Sequence, residues 1–501
     1  MPEGSLSKRF SAQDASFLYF EKEETPMHIG SVGVFEGEIP FDQFIANNEA
    51  KLHLIPRYTQ RAVAAPFNIG HPSWEWDPDF DISRHIMRVK LDAPGDDGQL
   101  MELAANLFAP KLDRSKPLWE MYLVEGLKDN RSALVSKVHH CLVDGVSGIE
   151  LLMVVLDVSA DPLPLEPRER EERPPIPGPM KLFADAALDS LSQRMSRYAE
   201  LQKSAADVLT VGSGRGRSIL RAIETTRPYT VVPVSRAPFN RPLHRDRIVA
   251  VSEFSFAEIR SIRQSVGGTV NDVVLAVLGG ALGRYLEMHG QSTDRRMMRI
   301  LTPVNVRSED EQGALGNRVS MLLVEVPVGV QDPVERLRAV NARTQALKRT
   351  RVAEGMEILG QGINDTPPAL QAFLGSLPTP PNTLANMICT NIPGPMIPLY
   401  SAGHRLIAHF PLVPLGWEMG IGCGVTSYNQ KLYFGLMADA KVAPDVARLK
   451  EFLDQAYVEL RSAAGVSKSD IPQLGLTQEE AAPEARPAAG AVVDSMAADA
   501  G

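Results

Sequence analysis

The chain has 501 residues, 44% of them hydrophobic and 23% charged, a balance that suits a folded protein with a large interior and excludes wholesale disorder. The formal net charge of -9 argues against a nucleic-acid partner, because a protein that reads a phosphate backbone carries a positive excess to displace counterions. Cys141, Cys389 and Cys423 are too few and too scattered for a disulfide framework or a paired-cysteine metal site, and they fit a reducing, cytoplasmic compartment.

In chain order, Met1 to Phe10 has no apolar core and does not read as a signal peptide. Pro117-Leu118-Trp119-Glu120 reads as a rigid turn entering a strand, with the tryptophan as an aromatic anchor. Ala133 to His139 reads as a buried strand, after which Gly145 permits a sharp turn into a helix over Ile149 to Val158. From Ala160 to Pro179, repeated prolines and alternating charges indicate a linker. Leu188, Leu191, Met195 and Tyr198 then recur at helical spacing, giving an apolar face that packs on a domain or touches lipid. Packing is the preferred reading, because the polar face is not markedly basic.

A second irregular segment, Arg227 to Arg247, carries Pro228, Pro233, Pro238 and Pro242 and closes the connection. Ile248 to Phe254 is strand-like, and Ser255 with Glu258 forms a capping box for a short helix over Ile259 and Ile262. Gly267 and Gly268 end it, and Asn271 to Leu286 starts another helix. The longest apolar runs, Val273 to Leu282 and Leu151 to Leu156, fall short of the roughly 20 residues that span a bilayer, so any membrane contact is expected to be peripheral. From Gln478 the Ala-, Pro- and Glu-rich composition predicts a disordered tail. Strands and helices mixed in both halves predict an α/β or α+β fold with domains at 1–159 and 246–465, a connector at 160–245 and a tail at 466–501.

The feature that carries chemistry is His139-His140-Cys141-Leu142-Val143-Asp144-Gly145, where strand gives way to turn. If the strand persists, His140 lies on the side of Leu134, Ser136 and Val138 and His139 faces away, so the two rings do different jobs and do not clasp one metal ion. Imidazole is the side chain suited to take a hydroxyl proton near neutral pH and hand it on to a leaving group. A lone histidine is equally an ordinary core residue, and the bare HxxxD spacing recurs by chance; the heptad alone leaves both readings open. Cys141 reads as a small buried residue with no assigned partner base.

The heptad resembles the HHxxxDG signature of the bacterial wax ester synthase/acyl-CoA:diacylglycerol acyltransferase family, within the chloramphenicol acetyltransferase-like superfamily. Three further elements agree in order: Pro117-Leu118-Trp119, Asn271-Asp272, and Asn391-Ile392-Pro393-Gly394-Pro395. The stretches Asp14 to Gly30, Asp77 to His85 and Ser427 to Asp439 are also similar, so the resemblance covers roughly residues 8 to 460.

The resemblance implies two acyltransferase-like α/β domains joined by a long linker around an active-site tunnel, with acyl-CoA entering as co-substrate, no bound cofactor and no metal. It implies transfer of a long-chain acyl group to diacylglycerol or a fatty alcohol, and peripheral contact with the inner membrane or lipid droplets. His140 is then the general base, His139 a supporting residue and Gly145 the turn; Asp144 fixes the loop or, alternatively, orients His140. Asn271 is a candidate oxyanion donor or an ordinary helix cap, with Asp272 as a first-turn acid. Thr390 and Asn391 are candidates to face the tunnel, and Arg307 and Arg318 candidates for coenzyme phosphates. Amide-forming condensation enzymes share an HHxxxDG-like element, and a catalytically silent lipid-binding protein is the alternative of another class.

Overall fold

Among the described residues, the strands form two six-stranded mixed sheets and one small hairpin. The computed structural model describes residues 8–142, 152–162, 174–192, 233–305, 319–349, 366–379 and 384–469, all within one compact unit. The first sheet uses β1 (His28–Glu36), β4 (Ile86–Lys90), β5 (Trp119–Leu127) and β6 (Arg131–His139), together with β11 (Tyr400–Ser401) and β12 (His404–Leu412). Its order is β11-β12-β1-β6-β5-β4. A small hairpin pairs β2 (Gln60–Val63) with β3 (Ser73–Trp76). The second sheet runs β7-β14-β13-β10-β8-β9, from β7 (Arg247–Ser255), β8 (Met297–Asn305), β9 (Val319–Pro327), β10 (Met387–Ile392), β13 (Ile421–Tyr428) and β14 (Lys431–Asp439).

Local sequence explains the pairing. The β5–β6 and β13–β14 hairpins turn at Asp129-Asn130 and Asn429-Gln430, all four with positive φ, the conformation that short polar side chains tolerate best and that matches strand twist. Helix α1 (Ala12–Phe20) starts on Ser11, whose side chain accepts from Asp14 N–H. Helix α2 (Phe41–Lys51) and helix α3 (Asp97–Phe108) cover the first sheet; α3 opens on an Asp96/Gln99 capping box and buries Leu100, Met101, Ala104, Ala105 and Phe108.

The expected strand and helix beyond residue 246 are present as β7 and the Phe256–Val266 helix. Ser255 does accept from Glu258 N–H, but the Glu258 carboxylate turns instead to Tyr457, Arg461 and Ser469 N–H, so the expected capping box is only half made. The next helix spans Val270–Met288 and its cap is Thr269, not Asn271. It is buried on all sides from Asp272 to Gly283, in the layer formed with helices Phe256–Val266, Pro333–Arg349 and Val446–Ala463 over the second sheet. The helix expected over Ile149 to Val158 is described only at 152–155. It stops short of Val158 because Asp157 pairs with Tyr400 backbone to backbone and accepts from Lys51 Nζ at 2.7 Å.

Strand β12 ties the halves together. Although it follows β10 in the chain, it pairs antiparallel with β1 of the first sheet, from Gly30↔Leu412 to Phe35↔Leu406. Strand β11 reaches only residues 404–405, so the Pro411 end of β12 has β1 on one side alone, the edge position that proline tolerates. Across the gap, Gly435 and Gly424 of the second sheet let Pro411 approach; a Cβ at Gly435 would lie 1.9 Å from the Pro411 carbonyl oxygen. Tyr428 donates to Leu406 O at 2.9 Å and Tyr433 to Ile407 O at 3.0 Å, closing the contact.

The helix over 179–192 packs through Leu182 and Ala186, while Leu188 and Leu191 are 66% and 56% exposed. The apolar face expected to pack on a domain thus points outward where it is described; Met195, Tyr198 and Pro228 lie outside the described residues. Among those residues no single helix is long and apolar enough to cross a membrane, although the Phe256–Val266 and Val270–Met288 pair, bent by 96°, passes on length and composition together.

Candidate functional site

Strand β6 ends at His139, and His140 is the first residue of the turn. The alternation that would have set His140 beside Val138 therefore stops one residue early. His140 donates its backbone N–H to Met27 O at 2.8 Å, and its half-buried ring stacks on Phe17 of α1, with centroids 4.1 Å apart and planes 12° from parallel. The stacking on Phe17 and the backbone bond to Met27 fix the plane of the imidazole at the strand end.

His139 has a different task. It is fully buried, cross-strand from His28, on the face that also carries Lys137. Its Nδ1 accepts from Cys141 N–H at 3.2 Å, so the proton sits on Nε2, which lies 3.4 Å from Glu21 Oε1. That is close enough for an ionic contact but long for a hydrogen bond. Burial pushes His139 below the ordinary histidine range, with Glu21 opposing, and leaves the ring neutral. Glu21 also accepts from Met27 N–H at 3.0 Å and from Arg114 at 2.8 Å. Burial alone would raise its carboxyl; His139, the Met27 N–H and Arg114 outweigh burial and bring it down to about 2.

One carboxylate thus orders both sides of the turn. Glu21 fixes the Met27 amide, whose residue's carbonyl holds His140, and faces the His139 ring that receives the Cys141 N–H. Sequence reasoning missed Glu21, Arg114, Met27 and Phe17. Three of the four fall in the family-like stretch Asp14 to Gly30, but nothing in their spacing reveals a partner more than 90 residues away. Burial raises the Cys141 thiol well above its ordinary value, with Asp14 adding to the rise, so it is not poised as a thiolate nucleophile.

The asparagines belong to the second sheet. Asn391, near the end of β10, donates from Nδ2 to Asn271 Oδ1 at 3.4 Å, and Asn271 is the second residue of the Val270–Met288 helix. Thr390 precedes Asn391 and so lies on the opposite face of β10, in the row it shares with Gly424, which Pro411 covers. Asp272 is a structural acid: it accepts from Thr269 N–H at 2.8 Å and from Thr344 Oγ1 at 2.7 Å, capping its own helix and tying it to the next. The Pro393-Gly394-Pro395 turn fits tightly on β13, where Gly394 N–H donates to Ser427 Oγ at 3.1 Å and a Cβ on Gly394 would meet Ser427 O at 2.3 Å. Trp119 is scaffold: its Nε1 donates to Tyr58 O at 2.7 Å and its ring stacks on His85 at 4.5 Å.

Asp144, Gly145, Arg307 and Arg318 lie outside the described residues. Among the described residues no group of three or more His, Cys, Asp or Glu side chains could hold a metal ion.

The model of the wax ester synthase/diacylglycerol acyltransferase catalytic domain matches residues 10–274, and that of the family's C-terminal domain matches residues 315–461. A probable diacylglycerol O-acyltransferase of Mycobacterium tuberculosis, tgs1, is 30% identical over 459 residues, covering 89% of this chain and 94% of the relative. A second from the same species, tgs2, is 30% identical over 477 residues, covering 90% and 98%. Among solved structures, the wax ester synthase/diacylglycerol acyltransferase of Marinobacter aquaeolei superposes with a TM-score of 0.63 at 23% identity, over 91% of this chain and all of that one. The first condensation domain of the calcium-dependent antibiotic synthetase gives a TM-score of 0.58 at 14% identity, over 92% and 96%. These likenesses establish a chloramphenicol acetyltransferase-like fold.

Proposed function

The chain belongs to the wax ester synthase/diacylglycerol acyltransferase family, and from that premise we propose that it moves a long-chain acyl group from acyl-CoA to diacylglycerol, a fatty alcohol or both, with His140 as general base. The observation that carries this reading is the placement of His140 at a strand end, its backbone tied to Met27 and its ring fixed against Phe17, beside a second histidine locked into the scaffold. In the proposed step His140 takes the acceptor hydroxyl proton as the oxygen attacks the thioester carbonyl. The tetrahedral intermediate then expels the coenzyme sulfur, which takes the proton back from the imidazolium. No acyl-enzyme forms, in keeping with the buried, raised thiol of Cys141.

Asp144, Gly145, Arg307 and Arg318 keep their assigned roles as proposals, as do Thr390 and Asn391, although these two take opposite faces of β10 and only Asn391 stands beside Asn271. Asn271 is proposed as an oxyanion donor. Its Oδ1 is engaged by Asn391, which leaves its Nδ2 group as a donor. The division at 1–159, 160–245 and 246–465 is also a proposal, with β11 and β12 serving the first sheet although they lie in the second segment. The chain is proposed to work at the surface of a membrane or lipid droplet.

The test measures thiol release from palmitoyl-CoA with ester analysis, using hexadecanol and dioleoylglycerol in parallel on wild type and His140→Ala. Ester formation by wild type that disappears in the folded variant supports the assignment, and the product ratio names the main acceptor. The condensation-domain likeness gives a second reading, in which an amine is the acceptor. Amide formation from an amine, with no ester from either alcohol, would favour it.

A further inference from the structure

The Pro368–Ser376 helix, with sequence PALQAFLGS, is inside out. Its buried residues are Gln371 and Gly375, while Leu370, Phe373 and Leu374 are 46%, 59% and 45% exposed and Leu377, just past its end, is 40% exposed. An ordinary surface helix turns its apolar stripe to the core, so this one has its preferred solvent reversed. The arrangement is held in place: Gly375 abuts the Tyr19 backbone, where a Cβ would lie 2.2 Å from the carbonyl oxygen, and Lys22 Nζ donates to Thr379 Oγ1 at 3.0 Å.

The helix packs on the short 3-10 turn Pro66–Asn68, where Phe67 is 89% exposed at φ +56°. A bulky residue in the left-handed region is strained, and the fold gains no buried aromatic in return. The 179–192 helix is tied to the residues that follow, through Ser190 Oγ to Ile69 O at 2.8 Å, and adds exposed Leu188 and Leu191. Beneath this collar an open cleft of ≈ 790 Å³ is lined by Leu18, Tyr19, Ala372 and Leu377 and reaches Glu21 and Arg114, the pair behind the His139–His140 turn.

We propose that this collar, with Phe67 and the outward side of the Pro368–Ser376 helix at its centre, inserts into the acyl layer of a lipid surface. The inference rests on the proposed function for the identity of the occupant, since a water-insoluble acceptor must be taken up from lipid. It stands on the inverted helix and the projecting Phe67 for the location. A lipid surface suits the collar better than a protein partner, because Leu370, Phe373, Leu374 and Leu377 present no polar group for a partner to pair with. Lys22 is engaged with the helix end, and Glu23 and Glu24 stand at the cleft, so attachment is by apolar insertion and not by charge.

The experiment is flotation of the full chain with phosphatidylcholine vesicles, at low salt and in 0.5 M NaCl (~0.5 M suffices to screen surface charge). Two variants are compared with wild type, Phe67→Asn and the double substitution Phe373→Glu, Leu374→Glu. Asparagine accepts positive φ more readily than phenylalanine, so the first variant is expected to fold at least as well as wild type. Salt-insensitive binding by wild type is expected, weakened roughly tenfold by Phe67→Asn and roughly a hundredfold by the double variant. Turnover of a short, water-soluble alcohol should stay within about twofold of wild type in both. Vesicle binding unchanged in both variants overturns the proposal. So does a wild-type dimer dispersed by the same substitutions with vesicle binding intact, which would make the collar an interface between copies. Flotation needs no turnover, so inactivity towards every acceptor would count against the proposed function and leave the docking result to be read by itself.

Discussion

Replacing Glu21 by glutamine keeps the shape of a side chain that is 1% exposed and removes its charge. Glutamine can still accept from Met27 N–H through Oε1, but its amide hydrogens then face the Arg114 donor; flipped, they face Met27 N–H and His139 Nε2–H instead. The fall of the Glu21 carboxyl from 4.5 to about 2 corresponds to about 3 kcal/mol of stability at neutral pH. Arg114 is 44% exposed and its share is screened, and His139 is itself pushed towards neutrality, so we expect Glu21→Gln to cost about 2 kcal/mol. The sign is fixed by the direction of the shift. A carboxyl whose folded pKa is depressed contributes fully above its unfolded value of 4.5, and the contribution is lost as pH falls towards about 2. Urea unfolding of wild type and variant at a series of pH values gives the difference directly. It should be near its full size at pH 7 and shrink below about pH 4.5. A difference that is absent at pH 7, or that does not change between about pH 5 and about pH 2, refutes the account. Because Glu21 acts through the turn, kcat should fall at least tenfold (~1.4 kcal/mol) with KM for acyl-CoA little changed; a variant that is destabilised but fully active would leave Glu21 a purely structural acid.

Other expectations follow from single contacts. His140→Ala should fold normally and lose roughly 10²–10⁴ in kcat/KM, read by thiol release; near-normal turnover would remove the histidine from the chemistry. Cys141→Ala should keep activity within about threefold, since the thiol is buried and raised, and mass spectrometry of wild type during turnover should show no acyl adduct on it. Asp272→Ala should lower stability by about 2 kcal/mol through loss of a helix cap and the Thr344 bond, while Asn271→Ala should leave stability nearly unchanged and lower kcat; the reverse pattern would exchange their roles. Gly435→Ala should weaken the seating of Pro411 and destabilise the protein by more than about 2 kcal/mol in thermal melts.

Strands at Ala133–His139 and Ile248–Phe254 were legible because β-branched and apolar runs bounded by turn residues leave few alternatives, and both occur within a residue or two of the expected ends. That His139 and His140 stand in different surroundings was legible too, although the strand ends one residue before the alternation argument needed it. What the sequence could not reveal depends on partners far away in the chain. Glu21 looks like any surface acid until Arg114 and the Met27 amide enclose it. Strand β12 contains Pro411, which reads against a sheet interior, and nothing local says that it joins β1 instead of its sequence neighbours. The Pro368–Ser376 helix misleads in the opposite sense, since its apolar residues are the outward ones.

Because β12 leaves the second half of the chain to complete the first sheet, the protein is clasped like two links of a chain. Residues 1–245 expressed as a fragment would lack β12 and present β1 as a bare, apolar edge, an invitation to self-association. Nicking the polypeptide between the sheets would leave the two pieces joined by the β1–β12 ladder. Exchanging one half for a foreign counterpart would therefore require that counterpart to supply a nine-residue strand able to pair with β1.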